Sequence, residues 1–169
     1  MKPFLPLEDF FRNSERTGYQ LSPDGKYISY MAPYEDRLNV FVRAIGKTDE
    51  QALRITHETE RSVAGYMWAD NERLLYMKDT AGDENYQLYG VLRDGSDERA
   101  YTAFKGVRTS LIDDLEEQDD FVLIGMNRRN PEVFDPYRLN LKTGELTLLA
   151  ENPGNIQGWM TDHEGKLRV

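Results

Sequence analysis

The sequence predicts an all-β chain that forms a partial β-propeller of about three and a third four-stranded antiparallel blades, with a short N-terminal arm or helix. Three observations lead to this fold. Short runs of β-forming residues recur in couples along the chain, as at 26–31 and 38–43. Clusters of Gly, Pro, Asn and Asp bound each couple, as at 22–25. Apolar strand residues also recur every 47 positions, namely Ile28, Leu75, Val122 and Val169.

The repeat divides the chain into five successive parts. These are an N-terminal arm at 1–16, blade 1 at 17–58, blade 2 at 62–104, blade 3 at 107–151 and the start of blade 4 at 156–169. The strands are predicted near 18–21, 26–31, 38–44 and 52–56 in blade 1, near 63–68, 73–78, 86–92 and 99–103 in blade 2, and near 108–112, 120–126, 136–141 and 145–150 in blade 3. Because about three and a third blades cannot close a ring, we expect the exposed blade faces to cause self-association.

Two structural alternatives stay open at this stage. A Greek-key sandwich with loops of even length would also space short strands regularly. The segment 7–16 suits either a helix, which Pro6 would begin, or an extended arm.

Composition excludes several classes of function. The 169 residues include 30 acidic and 21 basic side chains, a net charge of −9, which disfavours binding to nucleic acid or to an anionic membrane surface. Cysteine is absent, which excludes thiolate sites, and only His57 and His163 are present, which excludes a multi-histidine metal site unless carboxylates supply most of the ligands. No apolar run reaches the length of a transmembrane helix, and the N-terminus has no signal-peptide core. We therefore expect a cytoplasmic protein, unless an export signal has been removed.

Two loop segments are candidates for contacts with a substrate or a neighbouring domain. The first comprises Asp83, Glu84, Asn85 and Tyr86, and the second is the pair Arg128 and Arg129, which would suit a carboxylate. The alternative interpretation, which the residue types favour, is that these side chains bond their own loops. The acidic run at 113–120 likewise suits either a Ca²⁺ site or, more simply, a solvated turn.

A search for catalytic groups yields no candidate. None of the serines lies in the Gly-x-Ser-x-Gly elbow of an α/β-hydrolase, and no strand leads through a glycine-rich phosphate loop into a helix. We therefore predict no catalytic residue, no metal and no cofactor for this chain.

Four segments resemble the N-terminal β-propeller of bacterial prolyl oligopeptidase family serine peptidases, in particular the dipeptidyl-peptidase and acylaminoacyl-peptidase groups. They are LPLEDFFRN at 5–13, LSPDGKYISY at 21–30, GDENYQLY at 82–89 and NPEVFDPYRLNLKTGE at 130–145. The resemblance implies that the chain is the first half of a propeller that limits the access of short peptides to a C-terminal α/β-hydrolase domain. It carries over no triad residue. A free-standing TolB-like or WD40-like propeller module for protein–protein interaction is the alternative, because the motif at 21–30 is shared with TolB-like propellers.

Overall fold

The computed structural model describes residues 6, 7, 10, 14–115, 118 and 120–169. The predicted N-terminal arm or helix at 1–16 lies mostly outside the described residues. A short 3-10 turn, Asp49–Gln51, precedes β4. The strands are β1 (Thr17–Leu21), β2 (Tyr27–Tyr34), β3 (Arg37–Ala44), β4 (Leu53–Arg54), β5 (Gly65–Trp68), β6 (Arg73–Lys78), β7 (Gln87–Leu92), β8 (Arg99–Ala100), β9 (Thr109–Asp113), β10 (Phe121–Met126), β11 (Asp135–Asn140), β12 (Leu146–Leu148), β13 (Met160–Thr161) and β14 (Leu167–Arg168).

The strands pair in chain order within separate antiparallel sheets. Three sheets have four strands each, β1–β4, β5–β8 and β9–β12, and β13 pairs with β14 in a two-stranded sheet. This meander order excludes the Greek-key alternative, in which a fourth strand returns to lie beside the first. The predicted all-β, partial propeller fold is confirmed. The fourth strands have only two or three residues and are shorter than predicted, which leaves little exposed edge for pairing with other chains.

Two apolar cores lie between successive sheets. Because side chains alternate along a strand, β6 contributes to both cores: Leu74 and Tyr76 pack towards the first sheet, and Leu75 packs towards the third. The first core also contains Val40 and Val42 of β3, whereas the second is built mainly from β10 and β11. Burial on both faces explains why the middle strands are continuous apolar runs instead of alternating ones.

A hydrogen-bonded clamp joins the first two strands of the first sheet to the first strand of the second sheet. The Trp68 indole N–H donates to the Ser29 hydroxyl at 2.8 Å, and the Tyr66 hydroxyl lies 2.5 Å from the Gly18 carbonyl oxygen. Ser29 is fully buried, and burial raises the pKa of Tyr66 to about 12. We call Gly18, Ser29, Tyr66 and Trp68 the inner clamp. It fixes the spacing of the two strands that lie at the inner edge of their sheets.

A buried polar side chain near the start of the third strand holds the end of the fourth strand in each complete sheet. Each accepts a hydrogen bond from a backbone N–H just beyond that strand: Asn39 from Glu58 at 2.8 Å, Gln87 from Phe104 at 3.4 Å and Asp135 from Asn152 at 2.7 Å. The three positions stand 48 residues apart. They thereby fix the linker that leads into the next sheet.

In the third sheet this polar residue is charged and forms an ion pair. Two N–H groups of Arg129 donate to the Asp135 carboxylate at 2.9 Å each, and the Asp135 side chain is fully buried. Burial alone would raise the pKa of Asp135, but the bonds from Arg129 and from the Asn152 N–H hold that pKa below its usual 3.8. The ionised form therefore stabilises the fold.

We predict that Gly90→Ala destabilises the fold. A methyl group at Gly90 would lie 2.6 Å from Cε2 of Tyr101, whose buried ring is held by a 2.7 Å bond from its hydroxyl to the Leu141 carbonyl. The expected cost is about 1–3 kcal/mol in the free energy of unfolding, measured by urea denaturation. The matched control is Gly65→Ala, also in a strand, where nothing lies within 4 Å of the added methyl. An equal loss in both variants would contradict the close approach at Gly90.

We predict that Asp135→Asn lowers the free energy of unfolding by about 2 kcal/mol at neutral pH, because it removes the charge that accepts from Arg129. The control Glu132→Gln, an exposed residue of the same loop, should change stability little.

The stabilisation that Asp135 contributes to the fold decreases at low pH. Because the folded pKa lies below the unfolded value, the stabilisation is present above about pH 4 and is lost as the pH falls through the folded pKa. The difference between wild type and Asp135→Asn should therefore shrink in urea melts below pH 4. A difference that stays constant down to pH 2 would show that the charge is not its source.

Candidate functional site

Both loop segments predicted as contact candidates lie at the same end of the blades. In a meander, the loops between second and third strands emerge at the same end as the linkers to the next sheet. We call this end, formed by residues 35–36, 79–86 and 127–134 with the linkers 55–64, 101–108 and 149–159, the hairpin face. The loops between first and second strands form the opposite face.

The segment from Asp83 to Tyr86 is held by bonds within its own loop and to the next sheet. The Asp83 carboxylate accepts from the N–H groups of Asn85 at 3.0 Å and Thr80 at 3.3 Å, and from the Asn85 amide. The Asn85 N–H and amide hold the pKa of Asp83 below its usual value. The Tyr86 carbonyl accepts from the Thr109 N–H at 2.8 Å. These bonds agree with the interpretation that the side chains of this segment bond their own loop. Contact of the segment with a substrate or a neighbouring domain stays a prediction.

Glu84 has a left-handed backbone, and a buried carboxylate that is paired with an arginine supports it. Its φ is 57°, and its N–H donates to the Asp79 carboxylate at 3.2 Å. The Asp79 side chain is 2% exposed and receives two bonds from Arg61, which lower its pKa. No sequence signal predicts this pair, because Arg61 and Asp79 belong to different segments with no common motif.

The two adjacent arginines have different environments. Arg129 is bound to Asp135 and also donates to the Asn152 carbonyl at 2.8 Å. Arg128 is exposed, and its guanidinium lies over the Phe104 ring, 4.3 Å from the centroid. In the described part of the chain, no carboxylate lies within 4.0 Å of the Arg128 guanidinium. Arg129 therefore has a structural role, whereas Arg128 retains free donors.

The opposite face carries an acidic cleft of about 570 Å³ between the β9–β10 segment and the β13–β14 turn. His163 and Glu164 line it, together with Asp113 and Asp162. Asp113 accepts from the Thr161 hydroxyl and the Leu115 N–H, and Asp162 pairs with Arg168 at 2.5 Å. Part of the acidic run at 113–120 lies outside the described residues, which contain no group of three His, Cys, Asp or Glu side chains suited to a metal. The cleft is a solvated space whose main carboxylates are already bonded.

The two tryptophans each donate a hydrogen bond to a neighbouring segment. Trp68 is buried in the first core, and the Trp159 indole N–H donates to the Phe134 carbonyl at 2.8 Å. No helix among the described residues is long and apolar enough to span a bilayer.

Two peptidases are similar to this chain in sequence. Dipeptidyl aminopeptidase BIII of Pseudoxanthomonas mexicana is 33% identical over 165 residues, which cover 97% of this chain and 24% of that protein. Dipeptidyl peptidase family member 6 of Caenorhabditis elegans is 31% identical over 156 residues, 88% of this chain and 21% of that protein. The chain therefore spans less than a quarter of the length of these relatives. No family model matches it.

Solved structures show the same fold at lower sequence identity. An acylaminoacyl peptidase from Pyrococcus horikoshii aligns over 84% of this chain and 26% of its own, with a TM-score of 0.59 and 16% identity. TolB from Acinetobacter baumannii aligns over 90% of this chain and 36% of its own, with a TM-score of 0.57 and 15% identity. The fold is thus shared both with peptidases and with TolB. The two relatives found by sequence, in contrast, are both peptidases. Over most of its length the chain is therefore homologous to part of two dipeptidyl peptidases, and its partial β-propeller fold is shared with an acylaminoacyl peptidase.

Proposed function

We propose that this chain is the propeller segment of a serine peptidase and that it restricts the access of peptides to a C-terminal α/β-hydrolase domain. The observation that carries the proposal is its 33% identity, over 97% of its length, to a dipeptidyl aminopeptidase. The order of the strands within each sheet is consistent with it, since we take the first strand of each blade to be the one that lines the central channel of the propeller. The substrate class is short peptides with a free N-terminus.

The gating role depends on how firmly the inner strands are held. The inner clamp joins β5 to β1 through the hydroxyl of Tyr66 and to β2 through the indole of Trp68. The Gln20 side chain adds a 2.9 Å bond to the Tyr66 carbonyl. In the proposed role, a wall fixed in this way would keep the channel from widening to admit longer or folded substrates.

We also propose that the chain itself contributes no catalytic group. Ser29 is buried and accepts from the Trp68 indole, so its hydroxyl has a structural role. The peptide-cleaving chemistry would then belong to the hydrolase domain that the family resemblance implies. The likeness to TolB concerns the fold alone and does not favour the interaction-module alternative.

We predict that Tyr66→Phe, in the complete protein, raises kcat/KM for long peptides relative to a dipeptidyl anilide. The variant removes one inner-clamp hydroxyl and loosens the wall between β1 and β5. The measurement is the ratio of kcat/KM for a peptide of about 30 residues to kcat/KM for a dipeptidyl anilide with the same N-terminus. The ratio of each variant is divided by that of the wild type, and we call this ratio the length preference.

The matched control is Tyr101→Phe, which also removes a hydroxyl that bonds the adjacent sheet, but just after the outer strand β8. Each variant should lose about 1 kcal/mol of stability. Only Tyr66→Phe should alter the length preference. Equal effects of both variants, or equal cleavage of long and short peptides by the wild type, would contradict gating by the inner strands.

We predict that the 169-residue chain alone does not hydrolyse dipeptidyl amides or esters above background, since it would hold no nucleophile. Release of a fluorescent amine is a sufficient assay, with the complete protein as the positive control. Turnover by the chain that a serine-directed phosphonate abolishes would show that it does contain a nucleophile.

A further inference from the structure

Three exposed cations form a basic patch on the hairpin face of a chain whose net charge is −9. We define the patch as Lys105, Arg108 and Arg128. The ion pairs found among the described residues include none of the three. Clustered cations without carboxylate partners repel one another, so this arrangement favours an anion from outside the chain.

Direct contacts bring the two segments of the patch together. The Asn127 side-chain oxygen accepts from the Arg108 N–H at 2.6 Å, and the Asn127 N–H donates back to the Arg108 carbonyl at 3.3 Å. Arg128 follows Asn127 and reaches Phe104, the residue before Lys105. The linker between the second and third sheets and the β10–β11 loop therefore form one surface.

The Phe104 ring positions the Arg128 guanidinium for binding an anion. Phe104 is fixed by a turn in which its carbonyl accepts from the Val107 N–H at 3.2 Å, and its own N–H donates to Gln87 at 3.4 Å. Stacking on a ring uses the face of a guanidinium and leaves the N–H groups at its edge free. Those N–H groups match the two oxygens of a carboxylate, which a guanidinium binds in bidentate fashion.

We propose that the basic patch binds the C-terminal carboxylate of a short peptide, with Arg128 as the bidentate donor and Lys105 and Arg108 as supporting charges. The proposal rests on the proposed function, because peptides that are shortened from the N-terminus carry a free carboxylate at the other end. A polyanion such as nucleic acid is a poor occupant, since the rest of the chain is strongly acidic. The patch thus adds a preference for peptides with a free C-terminus.

The test is calorimetric titration of the 169-residue chain with a tetrapeptide free acid and with its C-terminal amide. We expect the acid to bind roughly tenfold more tightly than the amide, the loss expected for one charge-assisted contact. Arg128→Ala should weaken binding of the acid by a similar factor and leave the amide unchanged, and Arg128→Lys should restore part of the affinity. Lys47→Ala is the matched control, because it removes one exposed cation from the opposite face.

Equal affinities for acid and amide, or an unchanged affinity in Arg128→Ala, would overturn the proposal. So would displacement of the peptide by inorganic phosphate at equal concentration, which would indicate a general anion site. If Arg128→Ala instead weakens binding to the separately produced hydrolase domain and not to the acid, the patch is a domain contact and the proposal fails. Circular dichroism melts establish that each variant is folded. The titration involves no hydrolysis and leaves Tyr66 intact, so its failure is distinct from a failure of gating.

Discussion

The fold depends on the burial of its middle strands on both faces. In β6 the residues from Arg73 to Tyr76 are all buried, with Leu74 and Leu75 in different cores. No single sheet can bury both of its faces, so each blade depends on its neighbours for most of its hydrophobic stabilisation. Everything that sets the angle between adjacent sheets therefore contributes to stability and to the position of the loops.

This constraint explains which features the sequence could predict. Strands buried on both faces are continuous apolar runs, and the hairpins between them require turn residues, so strands and their period of about 47 residues are readable from one chain. The inner clamp was not readable, because a serine in one unit and a tryptophan 39 residues later carry no local signal. Polar contacts between blades depend on the packing angle, which only the folded chain defines.

A hydrogen bond that the first two sheets share is absent from the third, where both its donor and its acceptor are replaced. In the first two sheets a threonine hydroxyl accepts from a backbone N–H of the third strand, Thr56 from Val40 at 2.9 Å and Thr102 from Leu88 at 2.7 Å. The third sheet has Pro136 at the corresponding position of β11, which has no N–H. An alanine, Ala150, stands where the threonine would be. The lost donor and the lost acceptor thus cancel, and no buried N–H is left without a partner at this point.

The same dependence on neighbouring blades separates two arginines that are adjacent in sequence. Arg129 binds Asp135 and the linker to the fourth blade. Arg128 instead lies over the ring of Phe104, which belongs to the linker between the second and third blades. From sequence alone the pair were candidate carboxylate binders, with bonding inside their own loop as the favoured alternative, and the two could not be distinguished, because their partners lie 6 and 24 residues away on opposite sides. A buried aspartate neutralises one charge and leaves the other exposed. The charge available to an external anion is therefore set by blade packing, not by the number of arginines in the loop.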